Sequence, residues 1–173
     1  MRQPIKTTKE EIIDYWVTQI DESDLSVDFS EAHERCWRCG YKTVLHRCHI
    51  IPDSLGGEDA PKNLVLLCNR CHREAPNIDD FDFFWDWLKA QKASLYDTYW
   101  TIRGMREYED VYKEKVEDAL IRLEVDPENF KEYISSRERF VTIHFGEGRL
   151  NPSTIAGIFR AFIKEKEKRM IES

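Results

Sequence analysis

Apolar residues recur along this chain with two different periods, and the change from one to the other marks its most informative segment. Near the N-terminus Ile12, Ile13, Trp16, Val17 and Ile20 fall at helical spacing. Thr7 or Thr8 can cap that segment, and Glu10 and Glu11 suit the positive end of a helix dipole, so a helix is expected over residues 8–20. Residues 21–31 are polar and read as a linker. Residues 42–51 are rich in Val, Leu and Ile and read as a strand, and Asn63-Leu64-Val65-Leu66-Leu67 reads as a second, short one. Residues 54–59, with Gly56 and Gly57, are loop chemistry. A short helix should begin near Asn69 and stop before Pro76, because the residue ahead of a proline is pushed out of the helical region.

The rest of the chain reads as helical. Phe81, Phe84, Trp85 and Leu88 follow i, i+3, i+4, i+7 behind a cap at Asp79 or Asp80. A longer helix is expected within residues 95–123, and Asp126-Pro127-Glu128 places proline at the first position of another. Residues 140–145 read as a strand broken by Gly146-Glu147-Gly148, and Asn151-Pro152 opens a last helix running to about Met170. The pattern predicts an α+β chain in which a small strand pair is embedded among helices.

Composition narrows the function classes. With 41% hydrophobic and 12% aromatic residues, the 173-residue chain can bury a core, which excludes wholesale disorder. No apolar run reaches the roughly 18–20 residues that span a bilayer, and residues 1–6 lack the apolar region of a signal peptide. A cytoplasmic protein with no membrane partner is expected, and in that reducing compartment paired cysteines are metal ligands rather than disulfides. The net charge of −7 argues against a broadly basic nucleic-acid binder. It hides an asymmetry, since residues 33–73 hold seven Lys/Arg against four Asp/Glu, a local +3 that leaves −10 for the rest. Four of the five histidines lie in the same segment, which suits an anionic substrate.

Two cysteine pairs frame that segment: Cys36-x-x-Cys39 and Cys68-x-x-Cys71, with 28 residues between them. Each turn brings two thiolates to one point, and two turns complete the tetrahedron that zinc prefers. Four thiolates close the coordination sphere and leave no position for water, so this zinc is structural and any chemistry arises elsewhere.

Cys36-Trp37-Arg38-Cys39, His49-Ile50-Ile51-Pro52, Leu55-Gly56-Gly57, Asn63-Leu64-Val65-Leu66-Leu67-Cys68 and Cys71-His72, taken in order, resemble the zinc-bearing branch of the HNH endonuclease family. The likeness covers residues 34–76, under a third of the chain. It implies a zinc-stapled ββα-metal finger, which agrees with the strand, loop, strand and short helix read above. It also implies metal-dependent hydrolysis of DNA phosphodiester bonds, with double-stranded DNA as partner and substrate. Under it His49 is the base that activates water, a task suited to a group that titrates near neutral pH. His72 ligates one catalytic divalent cation, Mg²⁺ or a transition metal, and Asn63 orients the histidine-bearing loop.

The position just before the base usually carries a metal-binding acid or histidine in that family, and here it is Cys48. Three readings stand open: His72 holds the cation with a substitute such as His46, Cys48 ligates a softer metal, or the site is weakened and the module only binds nucleic acid or a protein partner. Arg47, expected on the same strand face as His49, is a candidate phosphate contact. Cutting both strands from one site would need a homodimer or two successive nicks. The resulting organisation is an N-terminal helix and linker over 1–32, the HNH module over 33–76 and a helical region over 77–173.

Overall fold

Strand pairing among the described residues is confined to one short ladder. The computed structural model describes residues 4–93, 95–138 and 150–172. In it β1 (Leu45–His49) runs antiparallel to β2 (Leu64–Cys68), with Leu45 opposite Cys68 and His49 opposite Leu64. All five residues of β2 are buried, whereas in β1 only Leu45 and Cys48 are. The ladder is shorter than the apolar run over 42–51. Lys42 instead bridges to Arg35, closing the turn that carries the first cysteine pair, and Ile50 and Ile51 leave the ladder to enter the loop tied by Asn63.

Helices α1 (Lys9–Trp16), α2 (Asn69–Glu74) and α3 (Phe81–Lys89) complete the first of two compact units, which the chain divides between Tyr99 and Trp100. Thr8 and Glu11 form a reciprocal capping box at the start of α1. The helix stops at Trp16, four residues short of the apolar pattern, and residues 17–20 continue as a turn. Trp16 is the anchor: its indole N–H donates to the Leu64 carbonyl at 2.8 Å and its ring meets Trp85 of α3 edge-on, 4.7 Å between centroids. Asp80 caps α3 by accepting from the Phe83 N–H.

The polar stretch 21–31 is not a free linker. It folds as two 3-10 turns, Leu25 and Val27 between those turns are buried, and the Ser26 hydroxyl accepts from the Ala93 N–H. Polar composition concealed this because the two buried side chains are isolated and follow no period.

The second unit contains α4 (Tyr99–Tyr112) from its second residue on, α5 (Val116–Arg122), α6 (Pro127–Glu138) and α7 (Pro152–Glu172). The single helix expected within 95–123 is two, parted at Lys113, whose φ of +57° ends the α-helical geometry. Pro127 stands first in α6 as expected, and Asn151 caps α7 by accepting from Thr154 N–H. The core is the face of α7 bearing Ile155, Ile158, Phe159, Phe162 and Ile163, against which Phe130 of α6 packs 5.4 Å from Phe159 and 5.2 Å from Phe162. Gly104 permits α4 and α7 to approach, since a Cβ there would lie 2.4 Å from Ile155. The strand expected at 140–145 and its glycine break at 146–148 lie outside the described residues.

The mostly helical chain thus carries a small antiparallel pair followed by a short helix and a cysteine cluster, the layout of a zinc-stapled ββα finger. No helix of the described residues is long and apolar enough to cross a membrane.

Candidate functional site

The four paired cysteines converge. Cys36, Cys39, Cys68 and Cys71 are all buried, and their sulfurs lie within 4.8 Å of one another, Cys39 and Cys68 at 3.9 Å. A tetrahedral zinc with bonds of about 2.3 Å sets its sulfurs about 3.8 Å apart, so the cluster can hold a metal such as zinc with little adjustment. Gly40 turns the first pair with φ of +71° and donates its N–H to the Cys36 carbonyl, while a Cβ there would meet the Ser26 carbonyl oxygen at 2.6 Å. Cys68 caps α2, its sulfur accepting from the Cys71 N–H at 3.4 Å. Four crowded sulfurs cannot all ionise unaided. The thiols of Cys36, Cys39 and Cys71 hold Cys68 as the thiolate, and the same sharing pushes Cys39 and Cys71 far above the usual thiol range. A dication relieves that repulsion, which is why such sites bind metal as they fold.

Arg38, within the first pair, is 4% exposed. Its guanidinium stacks 3.9 Å from the Trp87 ring and pairs with Glu74 at 2.6 Å, joining the cysteine turn to α3 and to the end of α2. Burial works against its charge, and Tyr99 and Glu74 more than offset it, leaving the pKa raised.

A separate cleft of about 620 Å³ opens beside β1. Arg47, Cys48 and His49 of β1, His72 of α2, and Asp53 and Asp59 of the connecting loop line it. His46 and His72 face each other across β1 and α2 with ring centroids 6.1 Å apart. The His72 pKa lies below the usual value, first because burial strips water from part of the ring and then because His46 and His49 add positive charge nearby. Three of the chain's imidazoles are therefore electrostatic neighbours.

Asn63 is 6% exposed and fixes the loop that leaves His49. Its Oδ1 accepts from Ile51 N–H at 2.8 Å, and its Nδ2 donates to the carbonyls of Ile51 at 3.0 Å and Glu58 at 2.9 Å. Its own carbonyl accepts from Ile50 N–H at 2.8 Å. Gly57 is obligatory in this arrangement, because a Cβ would fall 1.7 Å from the Ile51 carbonyl oxygen and 2.8 Å from Asn63 Nδ2.

Cys48 does not share the exposure of His46. It is 2% exposed, and burial, then the charge of Cys36, pushes its thiol up to about 12. Strict alternation would place the two residues alike, but β1 buries Leu45 and Cys48 while His46 stands out to solvent. Arg47 does face the cleft, but its Nη1 donates to the carbonyls of Ile5 at 3.1 Å and Thr7 at 2.8 Å. Asp59 completes this grip on the N-terminal segment by accepting from the backbone N–H of Lys6 at 2.6 Å and of Thr7 at 3.3 Å. Those bonds, the Lys6 contact foremost, keep its carboxyl below the ordinary carboxylate range. Among the described residues, the four cysteines are the sole group of three or more His, Cys, Asp or Glu whose ligand atoms converge.

Residues 34–77 match the family model described as HNH endonuclease. The finger is similar to an HNH module. The match coincides with the cysteine frame, the sheet and α2, and leaves the helical remainder of the chain uncovered. Neither the curated proteins nor the solved structures contain a match to this chain. Sequence reasoning missed Asp59 and Lys6, which reach the HNH cleft through contacts 52 and 53 positions long that no local pattern encodes. The paired glycines at 56 and 57 were the one local signal of how tightly the loop closes.

Proposed function

We propose that the HNH module is a metal-dependent nuclease that hydrolyses DNA phosphodiester bonds, with His49 as the general base. The observation that supports this most is that His49 and His72 line one cleft, with His46 beside His72, and that the connecting loop is fixed by Asn63. His49 accepts the proton of the attacking water, a contribution of typically about 10²–10⁴-fold to the rate. Asn63 holds the chain just beyond His49 and so limits how far the imidazole can swing. His72 and His46 are the ligands assigned to a catalytic cation, with Cys48 set aside because a buried, protonated thiol is a poor ligand. When bound, that cation neutralises charge on the phosphate and the leaving oxygen. Zinc occupies the cysteine cluster and stiffens the frame, which suits a reducing, cytoplasmic setting. The substrate is duplex DNA, and one cleft per chain nicks one strand unless two copies act together.

Incubation of supercoiled plasmid with Mg²⁺, Mn²⁺, Ni²⁺ or Zn²⁺ tests this directly. Nicked product is expected with at least one ion and none from His49→Ala, with zinc content unchanged. Failure to nick under all four ions, or nicking by the variant, refutes the assignment. A second reading, a zinc module that binds nucleic acid or a protein without cutting, is favoured by the lack of a second convergent ligand group among the described residues. DNA binding without nicking under every ion would select it.

A further inference from the structure

The N-terminal segment is built into the cleft wall, and its attachment is unusual in using charged side chains on backbone atoms. Pro4, Ile5 and Lys6 line the cleft beside His49 and His72. The Arg47 guanidinium holds the two carbonyls that flank Lys6, and the Asp59 carboxylate holds the N–H of Lys6 and of Thr7. Four hydrogen bonds to charged groups thus fix a stretch of three residues, each of a kind roughly twice as strong as a neutral one. Arg47 is half-buried and the clamped Thr7 is 7% exposed, whereas Asp59 grips the strap from the exposed side. At the centre of the clamp stands Lys6, exposed, with no ion-pair partner for its ammonium among the described residues.

We propose that residues 5–7 form a substrate-positioning strap, in which Arg47 and Asp59 clamp the backbone so that the Lys6 ammonium contacts a DNA phosphate at the cleft. Arg47 is then a positioning residue that acts through Lys6. The arrangement accounts for an acid in an anion-binding cleft, because Asp59 directs both oxygens to backbone N–H groups. It supplies a cation from outside the segment 33–73 in which the local positive charge is counted. This inference rests on the nuclease reading for its choice of DNA as ligand.

The test is equilibrium binding of a short duplex DNA across a salt series, using the full zinc-loaded chain in a His49→Ala background so that nothing is cut. One lost phosphate contact lowers the salt slope by about 0.9 and, near 0.1 M salt, weakens binding by about five- to tenfold. Lys6→Ala is expected to show that loss and Lys6→Arg to retain the slope. Arg47→Ala is expected to lose the same single contact, and the Lys6→Ala/Arg47→Ala pair to lose no more than either alone. Multiplicative losses would show that Arg47 holds its own phosphate and would overturn its positioning role. An unchanged slope in Lys6→Ala would overturn the strap while leaving nuclease activity, if the plasmid assay finds it, intact. If Arg47→Ala loses zinc, the Lys6→Ala and Lys6→Arg pair decides the matter alone. No DNA binding by the parent chain overturns the strap and the nuclease reading together.

Discussion

Replacing Asn63 gives the sharpest test of how the loop controls the cleft, because its bonds are few, short and identified. Asn63→Ala removes three side-chain hydrogen bonds, those to Ile51 N–H, the Ile51 carbonyl and the Glu58 carbonyl. Each neutral bond contributes about 1 kcal/mol net, so the expected loss is about 2–3 kcal/mol, somewhat offset because water can reach part of the site. For a unit of this size that corresponds to a fall in Tm of about 10–20 °C. Asn63→Asp separates the donors from the acceptor. The carboxylate still accepts from Ile51 N–H, but its second oxygen replaces a donor that sat 3.0 Å and 2.9 Å from two carbonyl oxygens. That repulsion raises the introduced carboxyl's folded pKa above its unfolded value of about 3.9. Its favourable, protonated contribution is complete below the unfolded pKa and lost as pH rises through the folded one. The gap between the aspartate and alanine variants should therefore widen against the aspartate as pH rises from about 4 through the raised folded pKa. Comparing the two variants also cancels effects of pH on the cysteine cluster common to both. Thermal unfolding by circular dichroism, with zinc measured on each sample, reads the effect. A fall in Tm of less than about 3 °C for the alanine variant, or a gap that narrows with rising pH, would refute the assignment of loop closure to the Asn63 amide.

Gly57→Ala should lower both Tm and nicking as Asn63→Ala does, with Asn63 still present, since its methyl collides with the Ile51 carbonyl; unchanged nicking and Tm would show that the loop can yield at that contact. Cys48→Ala should leave the metal-ion dependence of nicking unchanged and cost about 1–2 kcal/mol of stability, whereas His46→Ala should raise the ion concentration needed for half-maximal nicking; the reverse pattern would return Cys48 to the ligand set. Chelation of zinc, or Cys71→Ser, should abolish the cooperative unfolding transition of the first unit, with the affinity for zinc falling as pH drops and the thiolates protonate; a chelated chain that kept that transition would mean the cysteines contribute packing alone.

The parts of the fold that were legible are those set by local chemistry. The cysteine spacing foretold a cluster that the structure closes, and Pro76 and Asp80 mark the boundaries of α2 and α3 as expected. Periodicity failed where tertiary contacts override it. The apolar pattern runs on past Trp16, but the helix ends once that indole is tied to Leu64; the apolar run over 42–51 suggests a long strand, but its ends serve the cysteine turn and the Asn63 loop. In the cleft, the sequence placed His49, Asn63 and His72 in family order but could not show that Arg47 holds backbone carbonyls, because Ile5 and Thr7 lie 42 and 40 positions away. Nor could it separate His46 from Cys48, which share a strand parity but differ in burial, His46 exposed and Cys48 buried.

The charge distribution explains how a chain of net charge −7 could still receive a polyanion. Fields from exposed charges decay over about 8 Å at physiological ionic strength, so a phosphate in the cleft responds to the groups lining it rather than to the chain's total. There Lys6 and Arg47, joined by the cation assigned to His72 when it is bound, stand against Asp53 and Asp59, and Asp59 is already engaged by two N–H groups. The acidic remainder contributes a different effect: it disfavours binding elsewhere on the surface and so leaves fewer unproductive encounters. An acidic protein with a small positive cleft should bind DNA weakly and with a shallow salt slope, because few phosphates are neutralised. A slope matching many contacts would mean that surfaces beyond the HNH cleft dominate recognition, and the helical remainder would be the place to seek them.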